Sequence, residues 1–282
     1  MTTLARDVFS RLEQFYDAVP RDAARTEEIG GLVLFVRDAA GGSPFYARPR
    51  LDASDQPSAA DVAAVRERQR ELGLPEALEW VHETTPGLLA VARSAGLAVL
   101  EAPLMVLDPA ALPDPTGLSD VPVRLLDPAE PGFAADLATR RAVETIGFSS
   151  PGTDRGDAGP AEREAALGLL PPEVVTAEGF RAKTGSRLFA LAEAPGEGAL
   201  ASGTAMRAGD VAEIAGVATL PAARGRGLAA AVTATLARRL LDAGTGLVFL
   251  SAGSEDIARV YVRAGFRRIG TACIAEPSAV LP

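Results

Sequence analysis

The sequence predicts a mixed α/β protein of two domains, each with a central mixed, mostly antiparallel sheet flanked by helices. Three observations carry this. Strand candidates of the second half meet antiparallel first and then alternate with helices, a Pro- and Gly-rich segment divides the chain, and the halves match under a gapless shift. The 282 residues exceed the roughly 100–200 of an ordinary domain. With 48% hydrophobic and 23% charged residues, the chain has the apolar surface to build cores.

Met1 to Tyr16 carries Arg6, Asp7, Arg11 and Glu13 at helical spacing, unlike the uncharged apolar core of a signal peptide. Asp61 to Leu72 reads as a helix, with Val62, Val65 and Leu72 apolar. Pro109, Pro113, Pro115, Gly117 and Pro122 interrupt the stretch Leu107 to Val123, so the expected division is a first domain over 1–108, a linker over 109–119 and a second domain over 120–282. Beyond it, Val121 to Leu126 reads as a strand, and Phe133 to Val143 and Pro172 to Ala182 as helices. The irregular Ser149 to Pro160 between them reads as a long loop over a site. Arg187 to Ala194 and Ala199 to Arg207 flank the turn Pro195–Gly198 as a hairpin, and Val211 to Thr219 is a third strand. A Gly-rich loop, a helix from Leu228 to Ala243, a strand Leu247 to Ser251, a helix Asp256 to Arg263 and a strand Arg267 to Ala275 complete the order.

Composition removes several classes of chemistry. One Cys (Cys273) and one His (His82) exclude an internal disulfide and a Cys/His zinc site, and no metal site is expected. Cys273 reads as a buried small hydrophobe, and His82, beside Trp80, as structural. The net charge of −9 argues against nucleic acid. Residues 1–119 hold 11 bases and 18 acids, so the surplus of acid lies mainly in the first half. Apolar stretches such as Leu88 to Ala92 and Leu228 to Ala237 fall short of the roughly 18 residues of a membrane span. A cytoplasmic protein, monomeric or weakly dimeric, is expected.

The sharpest local feature is Pro221-Ala-Ala-Arg-Gly-Arg-Gly-Leu-Ala229, between a strand and an apolar helix. Amides at a helix N-terminus point outward unpaired and the helix dipole adds positive charge, so such a loop suits a pyrophosphate. Gly225 and Gly227 allow close backbone approach, and Arg224 or Arg226 can add charge-assisted contacts. The Lys-Ser/Thr of a P-loop is missing, and so is a Gly-x-Gly-x-x-Gly with an acidic ribose partner.

Residues 187–275 resemble the GNAT superfamily of acyl-CoA-dependent N-acetyltransferases. Arg224-Gly-Arg-Gly-Leu-Ala229 satisfies its Arg/Gln-x-x-Gly-x-Gly/Ala signature, Thr219-Leu-Pro221 precedes it, and Tyr261-Val-Arg-Ala-Gly-Phe266 resembles its Tyr-x-x-x-Gly-Phe close. The resemblance implies acetyl-CoA as cofactor, with the pantetheine arm along Val217, Ala218 and Thr219. It places the pyrophosphate on the amides of Arg224, Gly225, Arg226, Gly227, Leu228 and Ala229, extending to Ala230. Ser254 stands where the family often has Asn, a shorter hydrogen-bonding substitute. The implied reaction is direct transfer of acetyl to a primary amine of a small molecule or peptide, through a tetrahedral intermediate. Glu213 then reads as the general base, or else as a solvated or acceptor-binding strand glutamate. Tyr261 reads as proton donor to the leaving thiolate, or else as packing at a helix–strand junction. Glu144 and Asp136 offer either a cationic-acceptor site or a solvated helix face. The alternative reading is a non-catalytic acyl-CoA sensor or regulatory pseudo-enzyme.

A shift of 169 positions aligns Leu78-Glu-Trp-Val81 with Leu247-Val-Phe-Leu250 and Ala95-Gly-Leu97 with Ala264-Gly-Phe266. The first half therefore reads as a truncated, degenerate copy that packs against the active one. Under the shift Arg224 to Ala229 falls on Asp55 to Ala60, which has no glycine and begins with an anion, Glu213 falls on Pro44, and Tyr261 on Ala92. The first copy is expected to bind no cofactor.

Overall fold

The computed structural model describes residues 3–37 and 46–278, so Pro44 lies outside the described residues. The chain divides into two compact units, Met1–Leu104 with Ile269–Pro282, and Met105–Arg268. This differs from the division expected from composition. The Pro-rich stretch is not a free linker: Asp108 N–H donates to Gly265 C=O at 3.0 Å, and Arg238 donates to Pro113 C=O at 3.2 Å, both inside the second unit. Proline removes donors from this stretch, but its carbonyls still anchor it.

The first unit begins with α1 (Thr3–Arg21), then β1 (Ala24–Ile29), β2 (Leu32–Arg37) and β3 (Ala47–Pro49), followed by α2 (Ala59–Glu71), β4 (Leu78–Val81), α3 (Gly87–Ser94) and β5 (Leu97–Leu107). β1, β2 and β3 pair antiparallel and β3 pairs β4 in parallel. In the second unit β6 (Val123–Leu125) precedes α4 (Phe133–Ser149), α5 (Pro160–Ala165) and α6 (Pro172–Lys183). The antiparallel β7 (Arg187–Ala194), β8 (Gly198–Ala208) and β9 (Val211–Thr219) follow, then α7 (Leu228–Asp242), β10 (Leu247–Ser251), α8 (Glu255–Val262) and β11 (Phe266–Pro277). β10 pairs β9 in parallel. The order β1, β2, β3, α2, β4, α3, β5 has the same element types as β7, β8, β9, α7, β10, α8, β11; one helix precedes the first series, and β6 with three helices precedes the second. Ala59 at the start of α2 and Leu228 at the start of α7 stand at the spacing the sequence shift gives.

Strands β5 and β11 each cross from one unit to the other along their length. From Ala272 to Ala275, β11 pairs antiparallel with β4, with Cys273 opposite Trp80. Cys273 is fully buried in the first unit's core with Leu34, Val62, Leu78 and Trp80, as a small apolar side chain would be. The second core forms where α7 lies on the sheet. Leu228, Val232, Leu236 and Leu240 recur at helical spacing and are all buried. Gly203 of β8 permits the approach, since a Cβ there would stand 2.6 Å from Val232 Cγ1.

Candidate cofactor and acceptor cleft

Two backbone features open the site. Strand β9 pairs with β8 as far as Thr219, but its ladder with β10 ends at Glu213 opposite Phe249. The strand therefore leaves β10, and residues 214–219 run along a cleft of about 920 Å³. The register of β8 against β9 shifts between Ser202 and Thr204, leaving an extra residue on β9 where Gly216 takes φ +60°. A bulge of this kind bends a strand out of its ladder, and glycine reaches that φ without strain.

The second feature is the start of α7. Gly227, at φ +76°, is the N-cap, with no side-chain cap and no acid in the first turn. The first helical hydrogen bond runs from Ala231 N–H to Gly227 C=O, so the amides of Leu228, Ala229 and Ala230 have no partner within the helix. Gly227 is required by packing as well: a Cβ there would meet the Leu118 carbonyl oxygen at 1.9 Å. The matching helix of the first unit is closed. Ser58 caps α2 by accepting from Asp61 N–H, and Asp61 accepts in return from Ser58 N–H at 2.8 Å. A carboxylate already occupies that N-terminus, and these bonds hold Asp61 below the usual carboxylate range.

Of the residues expected to bind cofactor, Val217, Ala218, Thr219, Arg224, Gly225, Gly227, Leu228, Ala229 and Ser254 line the cleft, and Tyr261 joins them. Arg226 and Ala230 do not. Arg226 turns to Glu197 at 3.3 Å on the surface, and Ala230 is buried in the helix–sheet interface. Nor does the Arg224 guanidinium point outward as an anion-binding arm. It donates to the carbonyls of Gly147 at 2.9 Å, Ser150 at 2.5 Å and Asp154 at 3.0 Å, while its own carbonyl accepts from Arg155 Nε at 2.8 Å. Backbone bonds from Gly156 to Pro221 and from Ala222 to Ala158 add to this seam. The last turn of α4 and the segment after it are thereby fixed as the opposite wall, contributing Phe148, Pro151 and Thr153.

Ser254 Oγ caps α8 by accepting from Ile257 N–H at 3.2 Å, which leaves its hydroxyl proton free to donate into the cleft. Tyr261 is 8% exposed and packs edge-on against Phe266; burial pushes its hydroxyl up to about 12. It is therefore a protonated phenol throughout the neutral range.

Glu213 sits on the last rung of the β9–β10 ladder, before the strands part, and is not among the residues that line the cleft. Among the described residues no Asp, Glu or His lines it. Asp136 is also committed elsewhere, since both its oxygens accept from Arg124, at 2.7 and 2.8 Å. Sequence reasoning did not single out Ile214, Ile257, Val260 or Arg263, which also line the cleft. Ile214 is the first β9 residue beyond the ladder with β10, and no residue motif marks where that ladder ends.

Residues 194–275 match the family model described as FR47-like protein. Among solved structures, a GCN5-related N-acetyltransferase from Kribbella flavida is 22% identical, with 100% of this chain and 98% of that chain covered at a TM-score of 0.67. The fold is that of the GCN5-related N-acetyltransferases. A second protein of that description, from Sphaerobacter thermophilus, is 17% identical over 94% of this chain and 87% of its own, at a TM-score of 0.55. A GCN5-related N-acetyltransferase-like protein from Streptococcus suis is 14% identical over 96% and 98%, at 0.53. No curated protein matches the sequence. In this GNAT fold the match to the FR47-like model covers β8 and β9, the Gly-rich loop, α7, β10, α8 and nearly all of β11.

Proposed function

We propose that the protein is an acetyl-CoA-dependent N-acetyltransferase that acylates a primary amine of a small molecule or peptide by direct attack. The single observation that carries this is the uncapped N-terminus of α7 opening into the same cleft as the unpaired edge of β9. Three orphan amides and a glycine N-cap suit a pyrophosphate, and an unpaired strand edge suits the amides of a pantetheine arm. Bound there, acetyl-CoA would supply a thioester carbonyl open to attack by an amine nitrogen. Tyr261 holds a proton at Oη beside that space, and Ser254 offers a hydroxyl donor. Cys273 supports direct transfer, because burial and neighbouring Glu101 and Glu83 push its thiol up to about 12, and it lies in the first unit.

The closed N-terminus of α2 supports a silent first unit and one active unit per chain. A second reading, a non-catalytic acyl-CoA sensor, draws on Glu213 lying outside the cleft. Thiol release from acetyl-CoA in the presence of primary amines separates the two. Amine-dependent release with formation of the acetamide supports the transferase; saturable cofactor binding without turnover of any amine leaves the sensor.

A further inference from the structure

We propose that Glu144 of α4, in place of Glu213, is the carboxylate that receives the acceptor amine; this rests on the transferase reading of the cleft. An alkylammonium must lose a proton before its nitrogen can attack, and a carboxylate within reach, directly or through one water, can take it. The cleft lining itself holds no such group among the described residues. Glu144 is the carboxylate that abuts the lining at the β9 bulge.

The contact is specific. A Cβ on Gly216 would stand 2.7 Å from Glu144 Oε1, so this oxygen rests on the bulge glycine, which is itself part of the lining. The other oxygen, Oε2, accepts from Arg140 Nη1 at 2.9 Å, and the same nitrogen donates to Thr204 Oγ1 at 3.2 Å. Arg140 is held in turn over the Phe189 ring, 5.4 Å from its centroid. Strand β8 and the guanidinium therefore fix the carboxylate through one oxygen. Oε1 accepts no hydrogen bond among the described residues, and the side chain keeps 29% of its exposure, so it is both oriented and reachable. Glu144 also lies one turn before Gly147 and Phe148, the wall that Arg224 secures. Gly216 thus has two reasons to be glycine, its positive φ and the carboxylate against it.

Oε1 takes one proton from the bound ammonium, and the neutral nitrogen forms the N–C bond to the acyl carbon as the C–S bond breaks. The nitrogen's second proton reaches the leaving thiolate by way of the Tyr261 hydroxyl, and Oε1 releases its own proton to solvent, leaving the acetamide and the free CoA thiol. No further co-reactant is needed.

The test uses the full chain and the variants E144Q, E144D and E213Q. Ethanolamine, spermidine, L-lysine and a glycine-led tripeptide serve as acceptors. With the best of these, E144Q is expected to lose at least about 100-fold in kcat/KM. Its remaining rate should follow the acceptor's own ionisation to high pH, with E144D recovering part of the loss. Calorimetry supplies a readout apart from turnover: the affinity of the amine for the protein–CoA complex falls at least about 10-fold in E144Q. Affinity for CoA itself stays within about two-fold, because the two sites are separate. An unchanged amine affinity, or a larger loss in E213Q than in E144Q, overturns the assignment. Wild-type protein that binds CoA but acylates none of the four acceptors overturns it together with the transferase. Protein that binds no CoA removes the cofactor site as well.

Discussion

The guanidinium of Arg224, first residue of the Gly-rich loop, donates to the carbonyl of Gly147 in the last turn of α4, 2.9 Å away. A residue that motif reasoning assigns to an anion instead braces the opposite wall of the cleft. Its further bonds to Ser150 and Asp154 make the brace three-pronged. In unliganded Arg224→Gln protein, amide exchange should accelerate across residues 147–158, with a stability loss of roughly 1–3 kcal/mol. Because the acceptors are neutral carbonyls, acetyl-CoA and acetyl-pantetheine should lose affinity by the same factor. A loss confined to acetyl-CoA would mean that Arg224 contacts phosphate.

Gly225 and Gly227 separate conformational strain from collision. Both have positive φ, +80° and +76°, but a Cβ at 225 meets nothing nearer than 3.7 Å, whereas one at 227 meets the Leu118 carbonyl oxygen at 1.9 Å. Gly225→Ala should cost about 1–2 kcal/mol from its left-handed backbone alone. Gly227→Ala must in addition displace the Leu118 backbone, so urea denaturation should show the larger loss there. Equal losses would contradict the packing.

The Tyr261 hydroxyl, pushed up from 10.0 to about 12, remains protonated in the folded chain over a range where the unfolded chain ionises. Its contribution to stability is present in full below pH 10 and is lost as pH rises towards 12. Alkaline unfolding should therefore be less steep in Tyr261→Phe than in the wild type. Under the proposed role of Tyr261 as proton donor, turnover of Tyr261→Phe should fall at every pH.

Glu79 of β4 makes a similar test in the first unit. Burial pushes it up from 4.5 to about 7; nearby Arg48 opposes the shift and Glu276 adds to it. Below pH 4.5 both folded and unfolded chains hold the proton, and between 4.5 and 7 only the folded one does. Stability contributed by this group thus falls as pH rises through that window. Glu79→Gln should flatten the pH dependence of chemical denaturation between pH 4.5 and 7. A slope equal to the wild type would contradict the burial.

Much of this was legible in the residues. Arg224, Gly225, Gly227, Leu228, Ala229 and Tyr261 all line the cleft, and Leu78 and Leu247, which the shift pairs, each begin a strand. Local chemistry fixes these features: glycine at left-handed positions, apolar residues at helical period, a serine at a cap. The direction of Arg224 was not legible, because a guanidinium is equally suited to a phosphate and to carbonyl oxygens. That Glu213 stays out of the lining was not legible either. Its distance along β9 from Thr219 is clear in sequence, but where β9 parts from β10 depends on the bulge at Gly216, and a lone strand glycine does not announce which neighbour it frees. Nor does composition show what the Pro-rich stretch packs against, only that its backbone is irregular.

The central claim is that the α7 N-terminus and the β9 edge form one acetyl-CoA site per chain. Calorimetric titration of the folded, CoA-free protein with acetyl-CoA tests it most directly, repeated with Gly225→Asp, which sets a negative charge into the loop without a backbone collision. Expected is saturable one-to-one binding, weakened at least about 10-fold in the variant. Absence of binding, a stoichiometry of two, or equal affinity in a folded Gly225→Asp protein would contradict it.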